Sequence, residues 1–468
     1  MNKLKKLRTI LNRYNLDGYI IPKNDEFFGE YVDKGNDRLN YISSFSGSAG
    51  YVIILKKNAY LFVDGRYTLQ AKKESDKNFK VIEIHKNKPA KIFAKIIKKI
   101  KIGFDPKLFS EANLINNFKS VNANLIPIEK NLIDEIWLNK PKVKFSEFFL
   151  LNSKNSGISY KNKVQNVCNI LKKERINKLL ITAPENLAWL LNIRGKDSKY
   201  SPLPNCHAIL DYKKKITLIV NKNKINKNFK SNFKNVLSYT SPSYITEHLK
   251  SLNNKEIFLI DKYSCSVFYK KLIAKKFKFK EKVDPIYILK ARKNKIEIAN
   301  TVKSHIHDGV ALTKFIYWIK KNIGKIKITE ISAKNKLEQF RKKNKNYQFP
   351  SFNTISGTGP NGAIVHYKVD KKTNRLIKKN DIYLCDSGGQ YHYGTTDVTR
   401  TLCFTKQSQR VKNIFTKVLK GHIAVATTNL NKDNIGKKID KRARKFLKQD
   451  NLDYAHGTGH GVGFFLNV

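Results

Sequence analysis

Acidic residues, methionine and long apolar stretches are all scarce in this sequence. It has one methionine, and 92 lysines and arginines outnumber 37 aspartates and glutamates, which gives a formal net charge of +55. No stretch approaches the roughly 20 apolar residues that a membrane-spanning helix requires. The start of the chain is basic, and Arg8, Asn12 and Arg13 interrupt its apolar residues, so it lacks the continuous hydrophobic region of a signal peptide. We therefore predict a soluble, cytoplasmic protein without a membrane partner.

Cysteine is sparse as well. The five cysteines are dispersed, odd in number and contain no Cys-x-x-Cys pair. This pattern fits neither a disulfide framework nor a thiolate zinc site. We expect reduced and mostly buried thiols at Cys168, Cys206, Cys265, Cys385 and Cys403.

The excess of positive charge has two interpretations. A basic protein of this kind could bind nucleic acid or another anionic surface. However, lysine occurs in every predicted helix, asparagine and isoleucine are abundant too, and no RNA-binding signature or regular basic stripe is present. We interpret the charge as a compositional bias, and we predict no specific nucleic-acid partner.

The order of the apolar segments predicts more than one α/β domain. A chain of 468 residues is too long for a single ordinary core. The first part predicts a helix over residues 4–14, then strands over 18–21, 51–55 and 59–63. A polar linker is predicted over 139–160, and a similar layout follows it. That second set has a helix at 162–173 and strands at 178–182, 207–211, 216–220 and 256–260.

The last part of the chain opens with two predicted helices. The first covers residues 295–321 and is amphipathic, with apolar residues at helical spacing. Its stripe consists of Ile298, Val302, Ile306, Val310 and a cluster around Phe315 and Ile319. His305 and His307 have no acidic partner at ligand spacing, so we assign them structural roles. The second helix begins at Thr329, which is a plausible N-cap.

Three clusters after these helices carry side chains that suit catalysis. In the first, the glycine-rich loop 356–367 feeds a predicted short strand that ends on His366, although packing would explain a lone histidine equally well. In the second, a strand delivers Asp386 to its end and another strand begins at Asp397. If these strands pair, the two carboxylates repel each other unless they share a proton or bind cations. Taken singly, each aspartate is equally consistent with an ordinary turn or strand-start residue.

The third cluster is His456-Gly457-Thr458-Gly459-His460, which predicts a strand or an extended loop because its glycines disfavour a helix. A glycine-rich turn with incidental histidines is the alternative interpretation. Two aspartates and one histidine together suit Mn²⁺, Co²⁺ or Zn²⁺. Two such ions held by shared carboxylates could lower the pKa of a bridging water from ~15.7 to ~7.

The combined motifs resemble the long, three-domain type of Xaa-Pro aminopeptidase, a family of pita-bread metallopeptidases. Gly47-Ser48-Ala49-Gly50 with Asp64-Gly65-Arg66-Tyr67 is similar to a first creatinase-like domain, and residues 188–195 are similar to a second. The three clusters are similar to the catalytic domain. The resemblance implies two creatinase-like α/β domains over 1–152 and 153–288, and an α+β pita-bread domain over 289–468.

The resemblance also implies roles for individual residues. Asp386 matches a ligand of one metal, Asp397 the carboxylate that bridges both metals, and His460 a ligand of the other metal. His366 matches a histidine that positions the substrate and stabilises the tetrahedral intermediate, and His456 one that lines the pocket for the penultimate proline. The implied reaction is attack of a metal-bridging hydroxide on the bond between the first residue and proline. Two divalent ions, Mn²⁺ foremost, and a homodimer are implied too.

The family pattern continues beyond Val468 into a histidine and two glutamate ligands, so we expect a C-terminally truncated sequence with an incomplete catalytic domain. Two alternatives remain open. Cleavage of Xaa-Pro dipeptides alone would indicate a prolidase. A noncatalytic binding protein on the pita-bread scaffold would lack metal ligands, whereas Asp386, Asp397 and His460 are all present here.

Overall fold

The computed structural model describes residues 3–94, 99–143 and 145–468. Two six-stranded mixed sheets come first, and a third region with two three-stranded sheets follows. One residue of the predicted linker, 144, lies outside the described residues, as do the first two residues of the chain.

The first domain is built on a sheet with the strand order β4-β3-β2-β1-β5-β6. The central strand β1 is buried along its whole length because helices and loops cover both faces of the sheet. The predicted helix and three strands are confirmed, with shifts of one residue at some ends. The elements are α1 Lys3–Arg13, β1 Gly18–Pro22, α2 Arg38–Ser43, β2 Tyr51–Leu55, β3 Ala59–Val63, α3 Thr68–Glu74, β4 Phe79–Glu83, α4 Pro89–Phe93, β5 Ile100–Phe104, α5 Glu111–Phe118, β6 Ala123–Pro127 and α6 Leu132–Ile136.

The second domain has the sheet order β12-β11-β10-β8-β13-β14. The predicted helix and its four strands are confirmed, and the described part of the linker holds β7 and α7. The elements are β7 Phe149–Leu150, α7 Ser153–Ser156, α8 Tyr160–Lys173, β8 Lys178–Ile181, α9 Pro184–Leu191, β9 Ile193–Arg194, β10 His207–Asp211, β11 Ile216–Ile219, α10 Lys227–Asn232, β12 Leu237–Thr240, α11 Ile245–Ser251, β13 Ile257–Asp261, α12 Val267–Ala274, β14 Lys278–Lys282 and α13 Ile286–Ala291, with short 3₁₀ turns at Lys222–Lys224 and Pro242–Tyr244.

The two sheets have the same topology. In each, the first strand pairs antiparallel with the second and parallel with the fifth in chain order. The second and third strands form an antiparallel hairpin, and both edges are added in parallel. The similarity of layout that the sequence suggested is therefore confirmed as a repeat of one fold.

The third region contains long helices and two small sheets, β15-β18-β19 and β16-β17-β20. Thr329 is the N-cap of α15, as predicted, and it forms a capping box with Ser332. The elements are α14 Lys295–Asn322, α15 Glu330–Lys342, β15 Tyr347–Pro350, β16 Ile355–Thr358, a 3₁₀ helix Gly359–Ala363, β17 Ile382–Ser387, β18 Gly389–Tyr391, β19 Gly394–Thr395, β20 Val398–Cys403, α16 Gln409–Ala426 and α17 Gly436–Lys448.

The apolar stripe predicted on α14 is only half correct. Phe315 and Ile319 are buried in the core of the third region, as expected. The first half of the stripe, from Ile298 to Val310, is 49–60% exposed. The helix turns another face inward because Asp308 is fully buried and receives a bidentate ion pair from Arg341 of α15.

Two further predictions concern cysteines and membranes. All five cysteines are free thiols; four are buried, and Cys403 is half-buried. No helix among the described residues is both long enough and apolar enough to cross a bilayer.

Candidate functional site

The carboxylates of Asp386 and Asp397 are brought together by strand pairing. Asp386 is the penultimate residue of β17, and β17 pairs antiparallel with β20, which begins directly after Asp397. Asp386 lies opposite Thr399 in this register. The pairing that the sequence suggested is therefore present, and both aspartates line the same cavity.

The two aspartates are electrostatically unfavourable where they stand. Burial and, to a smaller extent, the negative charge of Asp397 raise the pKa of Asp386 to about 6, against a hydrogen bond from Thr399. Burial also raises the pKa of Asp397, while His460 and His305 oppose that shift. Asp386 Oδ1 is buried without a hydrogen-bond partner among the described residues. A cation would relieve both the repulsion and the unsatisfied oxygen.

His460 adds a third donor beside this pair. Its Nε2 lies 3.5 Å from Asp397 Oδ2, and its ring is largely exposed. Two carboxylates and an imidazole are the donor set that divalent ions such as Mn²⁺ or Zn²⁺ accept, so these side chains fit a metal site in their chemistry. Within the described ranges, however, no group of three or more His, Cys, Asp and Glu side chains lies close enough to surround one ion.

His366 lies in a turn, so the prediction that it ends a strand is wrong. The loop after β16 winds into the 3₁₀ helix Gly359–Ala363 instead of extending. The buried carboxylate of Glu330 is the cause, because it accepts hydrogen bonds from Asn361 Nδ2 at 3.0 Å and from the Tyr367 hydroxyl at 2.9 Å. These bonds hold both ends of the loop against α15 and turn His366 towards the first domain. There His366 Nδ1 lies 2.6 Å from the hydroxyl of Tyr67.

One cavity of about 320 Å³ contains four of the five predicted site residues. His366, Asp386, Asp397 and His460 all line it. The first domain contributes a wall that includes Glu30, Arg66 and Tyr67, and the second domain contributes Pro184, Glu185 and Leu203. The cavity is therefore formed by all three domains.

His456 does not line this cavity. It lies in the irregular segment that the glycines predicted, its ring packs 4.6 Å from that of Tyr454, and it is exposed. Its charge still acts on His366, whose pKa is lowered first by burial and then by Arg66 and His456. The structure thus leaves His456 at the rim rather than inside the cavity.

The segment that carries the two histidines is held by contacts from several elements. Arg444 of α17 donates to the carbonyls of Tyr454 and His456, each at 2.7 Å. A Cβ on Gly65 of the first domain would lie 2.7 Å from the carbonyl oxygen of Ala455, so only glycine fits there. Further along, Gln390 Nε2 donates to the Leu466 carbonyl at 2.7 Å.

Arg194 of the second domain makes the most extensive of these contacts. Its guanidinium is 1% exposed and donates to the Phe464 carbonyl at 2.9 Å and to that of Phe465. The other donors satisfy the carbonyls of Ala188 and Ile193 at 2.9 and 2.8 Å. The sequence assigned Arg194 and Tyr67 to their domains but not to the site. Glu330 was missed altogether, although a glutamate at the start of a helix before a glycine-rich loop was a possible signal.

Comparison with known proteins gives matches along the whole chain. Models of the creatinase/prolidase N-terminal domain match residues 3–136 and 139–297, and the model of metallopeptidase family M24 matches 299–468. A probable Xaa-Pro aminopeptidase P of Laccaria bicolor is 37% identical and is matched by 100% of this chain over 74% of its own length. Xaa-Pro aminopeptidase 1 of Dictyostelium discoideum is 35% identical, with 100% and 77% covered. The crystal structure of the X-prolyl aminopeptidase of Caenorhabditis elegans, a cytosolic enzyme with a di-nuclear active site, is 29% identical, with a TM-score of 0.91 over 100% of this chain and 80% of that one.

Proposed function

We propose, since the chain belongs to the Xaa-Pro aminopeptidase family of M24 metallopeptidases, that it hydrolyses the bond between the first residue and proline in peptides with proline second. The observation that carries this proposal is one cavity that contains Asp386, Asp397, His460 and His366. Burial raises the pKa of both carboxylates there, and a bound cation would offset that effect.

We infer that Asp386 would hold one divalent ion, that Asp397 would be shared between two ions and that His460 would hold the second. The unsatisfied Oδ1 of Asp386 and the mutual repulsion of the carboxylates support this assignment. Mn²⁺ is the ion we propose, and Co²⁺ or Zn²⁺ suits the same donors. When bound, the ions would supply Lewis acidity and an activated water for amide hydrolysis.

The remaining site residues would act on the peptide. His366 faces the cavity from a loop fixed by Glu330, so it can bind substrate in a constant position. We propose that His456, at the rim, contacts the region of the penultimate proline.

Three further assignments are proposals on the same basis. We place the domains at 1–152, 153–288 and 289–468; three successive family models, over 3–136, 139–297 and 299–468, support a division into three domains. The family resemblance supports a homodimer, and the cytosolic relative supports a cytoplasmic location. Specific nucleic-acid binding is not part of the proposal.

The test is hydrolysis of matched peptides by the purified chain loaded with Mn²⁺. We expect release of the first residue from Xaa-Pro-Yaa but not from Xaa-Ala-Yaa. Asp386→Asn should lower kcat/KM by about 1,000-fold or more, because a metal contributes several kcal/mol of transition-state stabilisation. The control is Asp370→Asn, an exposed turn aspartate of the same domain, which should stay near the wild-type rate.

Other outcomes would identify another function. Cleavage of Xaa-Pro dipeptides alone would indicate a dipeptidase. No cleavage with Mn²⁺, Co²⁺ or Zn²⁺ by the folded protein, together with salt-dependent DNA binding, would favour a noncatalytic binding protein.

A further inference from the structure

A chain of hydrogen bonds runs from the surface of the first domain to His366 in the cavity. Ser48 Oγ donates to Glu30 Oε1 at 3.0 Å and lies 2.7 Å from the hydroxyl of Tyr67. That hydroxyl lies 2.6 Å from His366 Nδ1. Three side chains from one domain thus connect to a histidine of another, far away in sequence.

The direction of this chain follows from counting protons. A carboxylate only accepts hydrogen bonds, so the single hydroxyl proton of Ser48 points to Glu30. Ser48 must then accept from Tyr67, whose own single proton is used in that bond. The Tyr67 oxygen has no proton left for His366, so it accepts one from Nδ1–H. The negative charge of Glu30 thereby sets the direction of every bond.

We propose that Glu30, Ser48 and Tyr67 are positioning residues that hold neutral His366 as its Nδ1–H tautomer, so that Nε2 accepts a hydrogen bond from the backbone N–H of the residue after proline. The proposal rests on the proposed function, because it names the part of the peptide that His366 contacts. The tautomer of a histidine is set by the hydrogen bond that its other nitrogen makes.

The choice of this N–H follows from the chemistry of the substrate. Proline within a peptide has no N–H, so Xaa-Pro-Yaa offers only its amino terminus and the N–H of Yaa. Arg66 is close enough to lower the pKa of His366, and its charge disfavours a second cation there. The protonated amino terminus is such a cation, so it is disfavoured beside His366. The neutral N–H of Yaa is therefore the donor left for His366.

The surrounding residues hold this relay, the chain of hydrogen bonds from Glu30 through Ser48 and Tyr67 to His366, in place. Tyr67 is 1% exposed and meets the ring of Phe45 edge-on at 5.7 Å. A Cβ on Gly47 would lie 2.8 Å from the Tyr67 ring, which shows how closely the backbone confines it. The charged groups that act on His366 are Arg66 and His456, which lower its pKa, and Glu30 and Asp64, which raise it. Burial has the largest effect and favours the neutral ring that the relay requires.

A consequence for substrate choice follows. A dipeptide Xaa-Pro ends in a carboxylate where a longer peptide has the N–H of Yaa. An Nε2 lone pair repels that carboxylate and attracts the N–H. The relay therefore favours peptides of three or more residues over dipeptides.

The first test reads the tautomer directly, without an activity assay. Zn²⁺-loaded protein with ¹⁵N-labelled histidine is studied by NMR above the pKa of His366, and the His366 signals are assigned with His366→Gln. We expect the proton on Nδ1, and loss of that preference in Tyr67→Phe. Tyr51→Phe is the matched control, because this buried first-domain tyrosine has a hydroxyl without a hydrogen-bond partner among the described residues. A proton on Nε2 in the wild-type protein would overturn the proposal.

The second test compares Xaa-Pro-Yaa with an ester analogue in which oxygen replaces the N–H of Yaa. The wild-type protein should prefer the amide by about 10-fold in kcat/KM, the effect of one hydrogen bond. Tyr67→Phe, and to a smaller extent Ser48→Ala, should bring this ratio towards one, while Tyr51→Phe should keep it. An unchanged ratio in Tyr67→Phe would overturn the contact with Yaa. If no peptide is cleaved at all, the proposed function fails, and the NMR test still decides the tautomer.

Discussion

The first and second domains have the same strand order but contact the third region in different ways. The second domain inserts a fully buried guanidinium, Arg194, and satisfies backbone carbonyls of Phe464 and Phe465 with it. The first domain presents side chains at the cavity, where Tyr67 contacts His366, and its Gly65 closely approaches the backbone of Ala455. The buried guanidinium of Arg194 holds the backbone segment to which it is hydrogen-bonded. The hydroxyl of Tyr67, by contrast, affects the tautomer of one side chain, His366. We therefore expect changes in the second domain to affect stability and changes in the first to affect kinetics.

The largest effect is expected from Arg194→Met. The substitution removes the hydrogen bonds that the guanidinium donates to four carbonyls, although the carbonyl of Ala188 also accepts from the N–H of Asn192. Burial lowers the pKa of this guanidinium to about 9, which reflects a large desolvation penalty. The free energy of unfolding should fall by about 3–4 kcal/mol in urea denaturation. Arg292→Met, at an exposed position, should change it by less than about 0.5 kcal/mol. If Arg194→Met kept wild-type stability, the contacts of Arg194 with the third region would not contribute to stability as we expect.

An intermediate effect is expected from Gly65→Ala in the first domain. The new Cβ would meet the Ala455 carbonyl at 2.7 Å, so either the first domain or the segment with His456 must move. We expect a fall in kcat/KM of about 10-fold or more, since small misplacements of a site have large kinetic effects. Stability should fall by only about 1–3 kcal/mol.

Gly309→Ala is the control for this substitution, because a Cβ there meets no atom within 4 Å and the residue lies within α14. It should leave kcat/KM unchanged. A loss of stability in Gly65→Ala without any change in kcat/KM would remove the kinetic role that we give to the first domain.

The smallest effect concerns the pH dependence of stability. The pKa values of two carboxylates, one in each of the first two domains, are shifted in opposite directions. Burial raises the pKa of Asp284 in the second domain from 3.8 to about 7. Its contribution to stability is therefore complete below the unfolded value and is lost as pH rises through about 7. In the first domain, hydrogen bonds and charges from Arg38 and Lys140 outweigh burial and lower the pKa of Asp134. That contribution is present above the unfolded pKa and is lost as pH falls.

Asp284→Asn should consequently stabilise the protein by about 1–2 kcal/mol at about pH 8 and have no effect at about pH 4. The new side-chain amide at position 284 can donate to Asn186 Oδ1 once the amide of Asn186 flips. This oxygen is buried without a partner among the described residues. Asp134→Asn should destabilise the protein at about pH 8, with the difference vanishing in acid. Urea denaturation at both pH values measures these effects. If the stability of the two variants changed with pH in the same direction relative to the wild type, the opposite pKa shifts of Asp284 and Asp134 would be contradicted.

Much of the fold could be predicted from the sequence because periodicity reports burial locally. The strands Tyr51–Leu55 and Ala59–Val63 have the predicted bounds, since short apolar segments between turn residues leave little choice. The N-cap at Thr329 is equally local, because side chain and backbone partners are three residues apart. An apolar strand followed by a β-branched strand suggested that β17 could pair with β20, and the structure confirms this pairing.

The errors arose where distant partners override local pattern. The apolar stripe on α14 has helical spacing, yet the buried ion pair between Asp308 and Arg341 turns another face of the helix inward. His366 follows an apparently extended segment, yet Glu330 folds the preceding loop into a 3₁₀ turn. Neither Asp308 nor Glu330 differs, in sequence, from an ordinary helical surface residue.

The sequence by itself determined the family, the repeated α/β layout and the proposed donor set Asp386, Asp397 and His460, because these depend on residue type and short spacing. Only the tertiary structure decided that His366 faces Tyr67, that His456 stands at the rim and that Arg194 holds the backbone after His460. These contacts join residues separated by most of the chain. They form only when the domains pack, because a buried hydrogen bond takes its partner from whatever segment the fold brings within reach.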